Sequence, residues 1–239
     1  MTQREQRVAI VTGASQGIGA GVVAGYRGLG WGVVANSLSI EPSHDPDVVA
    51  VAGDVSNPAT AEDIVGHALE RFGRIDTLVN NAGLFIAKPF TDYTAQDYAL
   101  ATGVNLAGFF WMTQRVIPEM LKTGGGHIVN LSAAVADHAS SASPSVLAGL
   151  TKGGVAAATK ALAIEYAKRG IRVNAVAPAV TQTAMHSADS YRDMPADEIP
   201  PIGRLGQVSD IVGGILYLES APFVTGEILF IDGGYTAGH

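Results

Sequence analysis

The chain has 239 residues, 47% hydrophobic and 15% charged, with 22 acidic against 15 basic side chains and a net charge of −7. That balance supplies a large core, argues against long disordered stretches and offers no basic cluster for a phosphate backbone, so nucleic acid is not an expected partner. With no cysteine present, disulfides, Cys-zinc sites and a cysteine nucleophile are excluded, and no metal site is expected. The opening "MTQREQRVAIVTG" does not read as a signal peptide. No apolar run reaches the roughly 18 residues of a membrane helix, so a cytoplasmic protein without membrane contact is expected.

Taken in order, "RVAIVTG" (7–13) is a short β-branched run that reads as a buried strand. "QGIGAGVVAGYRGLG" follows as a helix despite its glycines. Each interior glycine costs about 1 kcal/mol relative to alanine, so close packing on a sheet or a ligand must require the missing side chains. "WGVVANSL" reads as a second strand and "DVVAVAGDV" as a third. Their link, "SIEPSHDP", is too short for a crossover helix, which predicts thin cover on that side of the sheet. "PATAEDIVGHALERFG" is an amphipathic helix with Pro58 in its first turn. "RIDTLVNNAG" is a fourth strand, and a helical segment runs from about Thr94 to Lys122. "GHIVNLSA" is a fifth strand, followed by a helix from about 146 to Arg169. "IRVNAVAP", "QVSDIVGGILYLES" and "GEILFIDGG" complete the chain as strand, helix and strand. The alternation predicts one α/β domain over 1–239, doubly wound, with a mostly parallel seven-stranded sheet and helices on both faces.

"TGASQGIG" sets Gly13, Gly17 and Gly19 between the first strand and the first helix. Such a turn lets backbone approach a pyrophosphate while the helix N-terminus offers unpaired N–H groups. Three glycines alone are a weak signal; strand before and helix after make a dinucleotide site the stronger reading. The second strand ends in Asn36, Ser37 and Leu38. No acid stands there to hold ribose hydroxyls and repel a 2′-phosphate, no Arg stands there to attract one, and Gln16 occupies a place where a basic residue could have helped. NADP or NAD is admitted, with a slight lean to NADP; Ser37 reads equally well as ordinary strand-end solvation.

These motifs continue in a fixed order: "GDV" (53–55), "NNAG" (80–83), "GVNLAG" (103–108), "KGG" (152–154), "IRVNAVAP" (171–178) and "FVTGEILFIDGG" (223–234). With them the chain resembles the short-chain dehydrogenase/reductase family over nearly its full length. The resemblance implies a single Rossmann-type domain binding NAD(P)(H). It implies that Gly13, Ser15, Gln16, Gly17, Ile18 and Gly19 form the phosphate turn, with Ser37 beside the adenine ribose. Asp54 and Val55 would contact the adenine, and Asn81, Ala82 and Gly83 would pass beneath the ribose and nicotinamide. Pro178, Val180, Thr181 and Thr183 would hold the carboxamide. The family has glycine where this chain has Ala179, which predicts a displaced turn, because a Cβ penalises positive φ. A homotetramer is also implied, and the helices at 94–122 and 146–169 are apolar on several faces. The tail "GGYTAGH" could reach a neighbouring subunit, fraying being the plainer reading.

The family's chemistry uses Asn, Ser, Tyr and Lys. Asn105 and Lys152 match. The tyrosine is replaced by Ala148 and the serine position is taken by Ala133. Ser132 lies one residue early, on the opposite face of a strand unless a bulge turns it inward. Losing an acid/base group costs about 10²- to 10⁴-fold, which leaves three readings. A donor on the loop carrying His138, Ser140, Ser141, Ser143 and Ser145 could replace the phenol. Histidine titrates nearest neutrality, although solvated loop residues are the plainer reading. Substrate or water could supply the proton. Or the chain is a cofactor-binding protein without turnover, a sensor or a structural partner. Hydride transfer to or from a small carbonyl or alcohol, with a non-standard proton donor, is the expected function. "HSADSYRDMPADEIPP" (186–201) is expected to form a lid over the small-molecule substrate.

Overall fold

Short β-branched runs joined by helices of helical period bury both strand faces. In the computed structural model, which describes residues 6–183 and 199–238, they build one seven-stranded sheet. Its left half holds β1 (Val8–Thr12), α1 (Gly17–Gly28), β2 (Gly32–Ser37), β3 (Val48–Ala52) and α2 (Pro58–Phe72). Then follow β4 (Thr77–Asn80), α3 (Ala95–Thr102), α4 (Gly108–Lys122), β5 (Gly126–Leu131), α5 (Val146–Tyr166), β6 (Ile171–Pro178), α6 (Val208–Ser220) and β7 (Ile228–Ile231). The strand order is β3-β2-β1-β4-β5-β6-β7. Every pairing is parallel, where the sequence led only to a mostly parallel sheet.

Alternate residues feed two cores. Ile10, Leu78, Ile128 and Val173 pack under α2, α4 and α5, while Ala9, Val11, Val79 and Val129 pack under α1 and α6. With both faces covered, the strands need no polar alternation. The glycines of α1 have their reason in that second layer. A Cβ on Gly21 would lie 2.4 Å from Val208 Cγ1, so α1 and α6 approach too closely for a side chain.

The link between β2 and β3 carries no helix, as expected; the Arg27 guanidinium holds it by ion pairs to Asp45 at 2.8 Å and Asp47 at 3.0 Å. The segment 94–122 is not one helix. A π turn, Gly103–Ala107, divides α3 from α4. The segment 146–169 closes with a 3-10 turn, Ala167–Arg169, and Gly170 at φ +79°. No helix among the described residues is long and apolar enough to cross a membrane. The expected lid lies almost wholly outside the described residues.

Candidate active site

Strand order reverses between β1 and β4, and the loops leaving their carboxyl ends are stitched together. Thr12 Oγ1 accepts the N–H groups of Asn81 (3.1 Å) and Ala82 (3.0 Å), while Asn81 Nδ2 donates to the carbonyls of Thr12 (2.9 Å) and Gly13 (3.0 Å). Gly13 and Gly17 take φ of +64° and +55°, which glycine alone adopts without strain. A Cβ on Gly19 would sit 2.1 Å from the Gly13 carbonyl oxygen. The turn therefore keeps a bare backbone floor in front of α1, whose N-terminus no side chain caps.

At the end of β2 the polar groups are neutral. The hydroxyls of Ser15 and Ser37 lie 3.0 Å apart. Asn36, fully buried, donates to Val51 O (3.0 Å) and Gly53 O (3.1 Å), and its Oδ1 has no hydrogen-bond partner. Asp54 accepts the N–H of Ser56 at 2.9 Å, which fixes the turn after β3.

Across the switch point, the π turn delivers Asn105 into the interior. Its Oδ1 accepts the Leu84 N–H (2.9 Å), and its Nδ2 donates to Leu84 O (3.0 Å) and Thr151 Oγ1 (3.0 Å). Lys152 follows Thr151 on α5 and donates from Nζ to Leu131 O at 2.7 Å. Burial pulls its ammonium down to about 8. Gly83 lets the β4 loop pass beside it, since a Cβ there would come within 2.9 Å of Lys152 Nζ. A small cavity of about 10 Å³, the size of one water, lies behind and is lined by Thr12, Asn80, Asn105 and Lys152 among others. Ala148, one turn before Lys152, is 4% exposed and lines the main cavity.

No bulge turns Ser132: β5 and β6 keep register to Leu131–Val176, and the Ser132 N–H continues the pattern to Val176 O. Its hydroxyl donates to the Lys152 carbonyl at 3.1 Å. Ala179 does not adopt a left-handed φ, so the displacement expected there is not needed. The segment after Pro178 is tied down by Gly206, which donates to Val180 O (3.0 Å) and accepts from Gln182 N (2.8 Å).

These pieces enclose one cavity of about 520 Å³ along the carboxyl ends of the strands. Every position expected to touch a cofactor lines it: Gly13, Ser15, Gln16, Gly17, Ile18, Gly19, Ser37, Asp54, Val55, Asn81, Ala82, Gly83, Lys152, Pro178, Val180, Thr181 and Thr183. Ser132 and Lys152 line it as well, whereas Asn105 stands behind Lys152. Ser140, Ser143 and Ser145 reach the wall; His138 does not. The His138 ring instead meets Tyr235 in an edge-on contact, centroids 4.7 Å apart, and it is Tyr235 that lines the cavity. Sequence reasoning missed Tyr235. The signal available was the pair Gly233–Gly234, both at positive φ, which turns the chain back from β7.

An elongated cavity, a glycine floor at a helix N-terminus and a neutral pocket at the end of β2 fit a dinucleotide in shape and polarity. A parallel sheet with that cradle at its switch point, and a half-buried lysine opposite, is the arrangement of a nicotinamide-dinucleotide oxidoreductase. Residues 13–236 match the family model described as enoyl-(acyl carrier protein) reductase. D-threitol dehydrogenase of Mycolicibacterium smegmatis is 35% identical over 243 residues, covering 96% of this chain and 93% of that protein. ElxO with NADP bound superposes with a TM-score of 0.90 at 28% identity, covering 98% of this chain and 100% of that one. The 3-ketoacyl-(acyl-carrier-protein) reductase from Brucella melitensis complexed with NADH gives 0.86 at 30% identity, covering 97% and 99%. The chain belongs to the short-chain dehydrogenase/reductase family and is an NAD(P)-binding oxidoreductase.

Proposed function

We propose that the protein transfers hydride between NAD(P)(H) and a small neutral carbonyl or alcohol, using a proton donor other than the family's tyrosine. The observation that carries this reading is the continuity of one cavity from the glycine floor to Lys152 and Ala148. In it the backbone of Gly13–Gly19 receives the diphosphate on the amino end of α1, and Asp54 and Val55 flank the adenine. Asn81–Gly83 pass beneath the nicotinamide, and Pro178, Val180, Thr181 and Thr183 hold its carboxamide. The bound cofactor supplies or accepts the hydride. Lys152, held by Leu131 O, brings the one positive charge among the described wall residues toward the ribose and the reacting oxygen. Asn105 braces Leu84 and Thr151 so that the lysine keeps its height. Ser132 commits its proton to the Lys152 carbonyl, which favours a role in seating α5 over contact with substrate. The uncharged Ser15–Ser37 pair supports the lean to NADP, because nothing there repels a 2′-phosphate. The cysteine-free, acidic composition supports a cytoplasmic location.

The test is NAD(P)H oxidation across a panel of neutral aldehydes and ketones, with cofactor binding measured independently by calorimetry. Slow turnover is expected in the parent, and Ala148→Tyr, which sets a phenol one turn from Lys152, should raise it about 10²-fold. Adding Ala133→Ser should raise it further. A second reading has its own observation: Ala148 and Ala133 give the wall no proton-active group at the two positions where the family carries one. A double variant that binds cofactor but stays inert would favour a sensor or structural partner without turnover.

A homotetramer belongs to the same proposal. Ile164 on α5 is 80% exposed and Phe223, just after α6, is fully exposed, as faces awaiting a partner would be. A monomer by light scattering at micromolar concentration would remove it.

A further inference from the structure

The end of β5 grips Lys152 at two points. Leu131, the last residue of that strand, accepts the Lys152 ammonium on its carbonyl at 2.7 Å. The next residue, Ser132, donates its hydroxyl to the Lys152 carbonyl at 3.1 Å. Both grips are anchored inside the sheet. Leu131 pairs with Val176 in the β5–β6 ladder, and the Ser132 N–H donates to Val176 O at 2.9 Å. Leu131 and Ser132 are both buried. The helix itself has no need of the serine. Lys152 lies in the interior of α5, where its carbonyl faces the N–H four residues on, so the Ser132 proton takes the second lone pair. The preceding residue is held by another element, since Asn105 Nδ2 donates to Thr151 Oγ1 at 3.0 Å. Gly83 sets a further limit: a Cβ there would come within 2.9 Å of Lys152 Nζ, so the loop after β4 passes directly beside the ammonium. A lysine head on its flexible stem has many places to go. Tying its carbonyl and its ammonium to consecutive residues of one strand end leaves it one.

We propose that Ser132 is a positioning residue which, together with Leu131 O, fixes the Lys152 ammonium where the cofactor needs it. The inference deepens the hydride-transfer reading above and rests on the place beside the cofactor which that reading gives Lys152. Ser132 takes no chemical step: its O–H bond stays intact, and it acts by holding the α5 backbone at Lys152 against β5. Without that bond the backbone there is free to shift, and Nζ can leave Leu131 O for water in the cavity. Two consequences follow for cofactor binding. Fewer molecules have the lysine in place, so affinity falls. The displaced ammonium is also better hydrated. Burial, with no charged partner, is what holds it down to about 8, so the loosened lysine keeps its proton to higher pH.

Calorimetric titration with NADPH and with NADH from pH 6 to pH 10 tests this. In the parent, the lysine's share of the affinity is present below about 8 and lost as pH rises through that value. Ser132→Ala should raise the cofactor Kd at pH 7 by about 3- to 10-fold, the range of one neutral hydrogen bond, and should move the loss to higher pH. Ser132→Thr keeps the hydroxyl and should restore both. Thr225→Ala is the control for plain destabilisation. It removes the acceptor of the Val173 N–H (3.1 Å) toward the amino end of β6, so it should lower the urea midpoint and leave Kd and its pH profile unchanged. A Ser132→Ala variant with the parent's Kd and profile overturns the proposal while leaving hydride transfer intact. A weaker Kd with an unmoved profile, or one that threonine does not restore, makes Ser132 a packing residue and also overturns it. So does a Thr225→Ala variant that shifts both readouts as far. If Lys152→Met binds both cofactors as the parent does, the lysine has no place beside the cofactor, and this proposal falls with that part of the reading. Every readout here is binding, so absence of turnover across the carbonyl panel would end the hydride-transfer reading separately.

Discussion

Gly19 is the residue at which the cofactor site is least forgiving. The 2.1 Å approach to Gly13 O, with Asn81 Nδ2 at 2.6 Å, leaves no room for even a methyl group. Gly19→Ala must push the turn away from β1, an overpacking that costs about 1–3 kcal/mol. The expected result is a rise in cofactor Kd of about 10- to 100-fold by calorimetry. Lys152 shows the opposite trade. Burial lowers its ammonium to about 8, so below that pH the fold carries a charge it would rather shed. The sign follows from linkage: between about 8 and the ordinary lysine value near 10.4, the unfolded chain binds the proton and the folded chain does not. Stability therefore rises with pH through that window. Lys152→Met should stabilise the protein at pH 7 by roughly 1–2 kcal/mol, discounted for the partly wetted site, while weakening cofactor binding. Urea unfolding at pH 7 and pH 10 checks it: the gain should shrink at the higher pH.

The π turn between α3 and α4 is the element that makes Asn105 useful. One extra residue in the turn swings its side chain inward, where it ties the loop after β4 to α5 through Leu84 and Thr151. Asn105→Ala breaks three hydrogen bonds and leaves the Leu84 N–H without its acceptor. The expected cost is about 2–3 kcal/mol in urea unfolding, with faster hydrogen exchange at Leu84 than at core amides such as Val79. That turn also marks where the sequence stopped being legible. Strands and helices could be read because burial on both sheet faces leaves β-branched runs, and because "PATAEDIVGHALERFG" carries helical period and a first-turn proline. The break at Gly103–Ala107 could not, since "GVNLAG" keeps the apolar spacing of a continuous helix. The phosphate turn could be read from glycine spacing, which is a local property; the rest of the cofactor wall could be read only through the family resemblance. The neighbours of His138 could not: its contact with Tyr235 joins residues 97 positions apart, and no periodicity reports a contact between two loops. Ser132 was legible as a strand-end residue expected on the far face; the structure corrects this, since without a bulge it lines the cavity and donates to the Lys152 carbonyl.

Across the whole molecule, the chemistry at the carboxyl ends of the strands is balanced by a buried polar network at their amino ends. Glu219, in the last turn of α6, takes one oxygen to Tyr26 Oη (2.9 Å), Thr77 Oγ1 (2.9 Å) and His127 Nδ1 (3.0 Å). It thereby joins α6 to α1, β4 and β5. His127 Nε2 meets Asn174 Nδ2 at 3.0 Å, so the amide donates to Nε2 and Nδ1 carries the proton in a neutral imidazole. Burial holds His127 below its ordinary value. For Glu219, burial alone would raise the carboxyl, but the bonds from His127, Thr77 and Tyr26 bring it below its usual range. Both shifts act in one direction. As pH falls through the ordinary histidine value near 6.5, the unfolded chain takes up a proton that buried His127 refuses, and stability drops. Lower still, the Glu219 contribution, complete above the ordinary carboxylate range, is lost as pH passes through its depressed folded value. Glu219→Ala would strand three donors inside the protein and should cost about 3 kcal/mol at pH 7. Glu219→Gln should recover part of that, because its amide oxygen can take the shared acceptor's place. Cofactor affinity should stay within about twofold in both variants, since the network and the glycine floor lie at opposite ends of the sheet. Urea unfolding from pH 7 down to about pH 2, with calorimetry at pH 7, decides it. The gap between parent and Glu219→Ala should narrow only below the ordinary carboxylate value of about 4.3, and a gap that stays constant to about pH 2 would mean that the carboxylate's charge contributes nothing to holding the layers together.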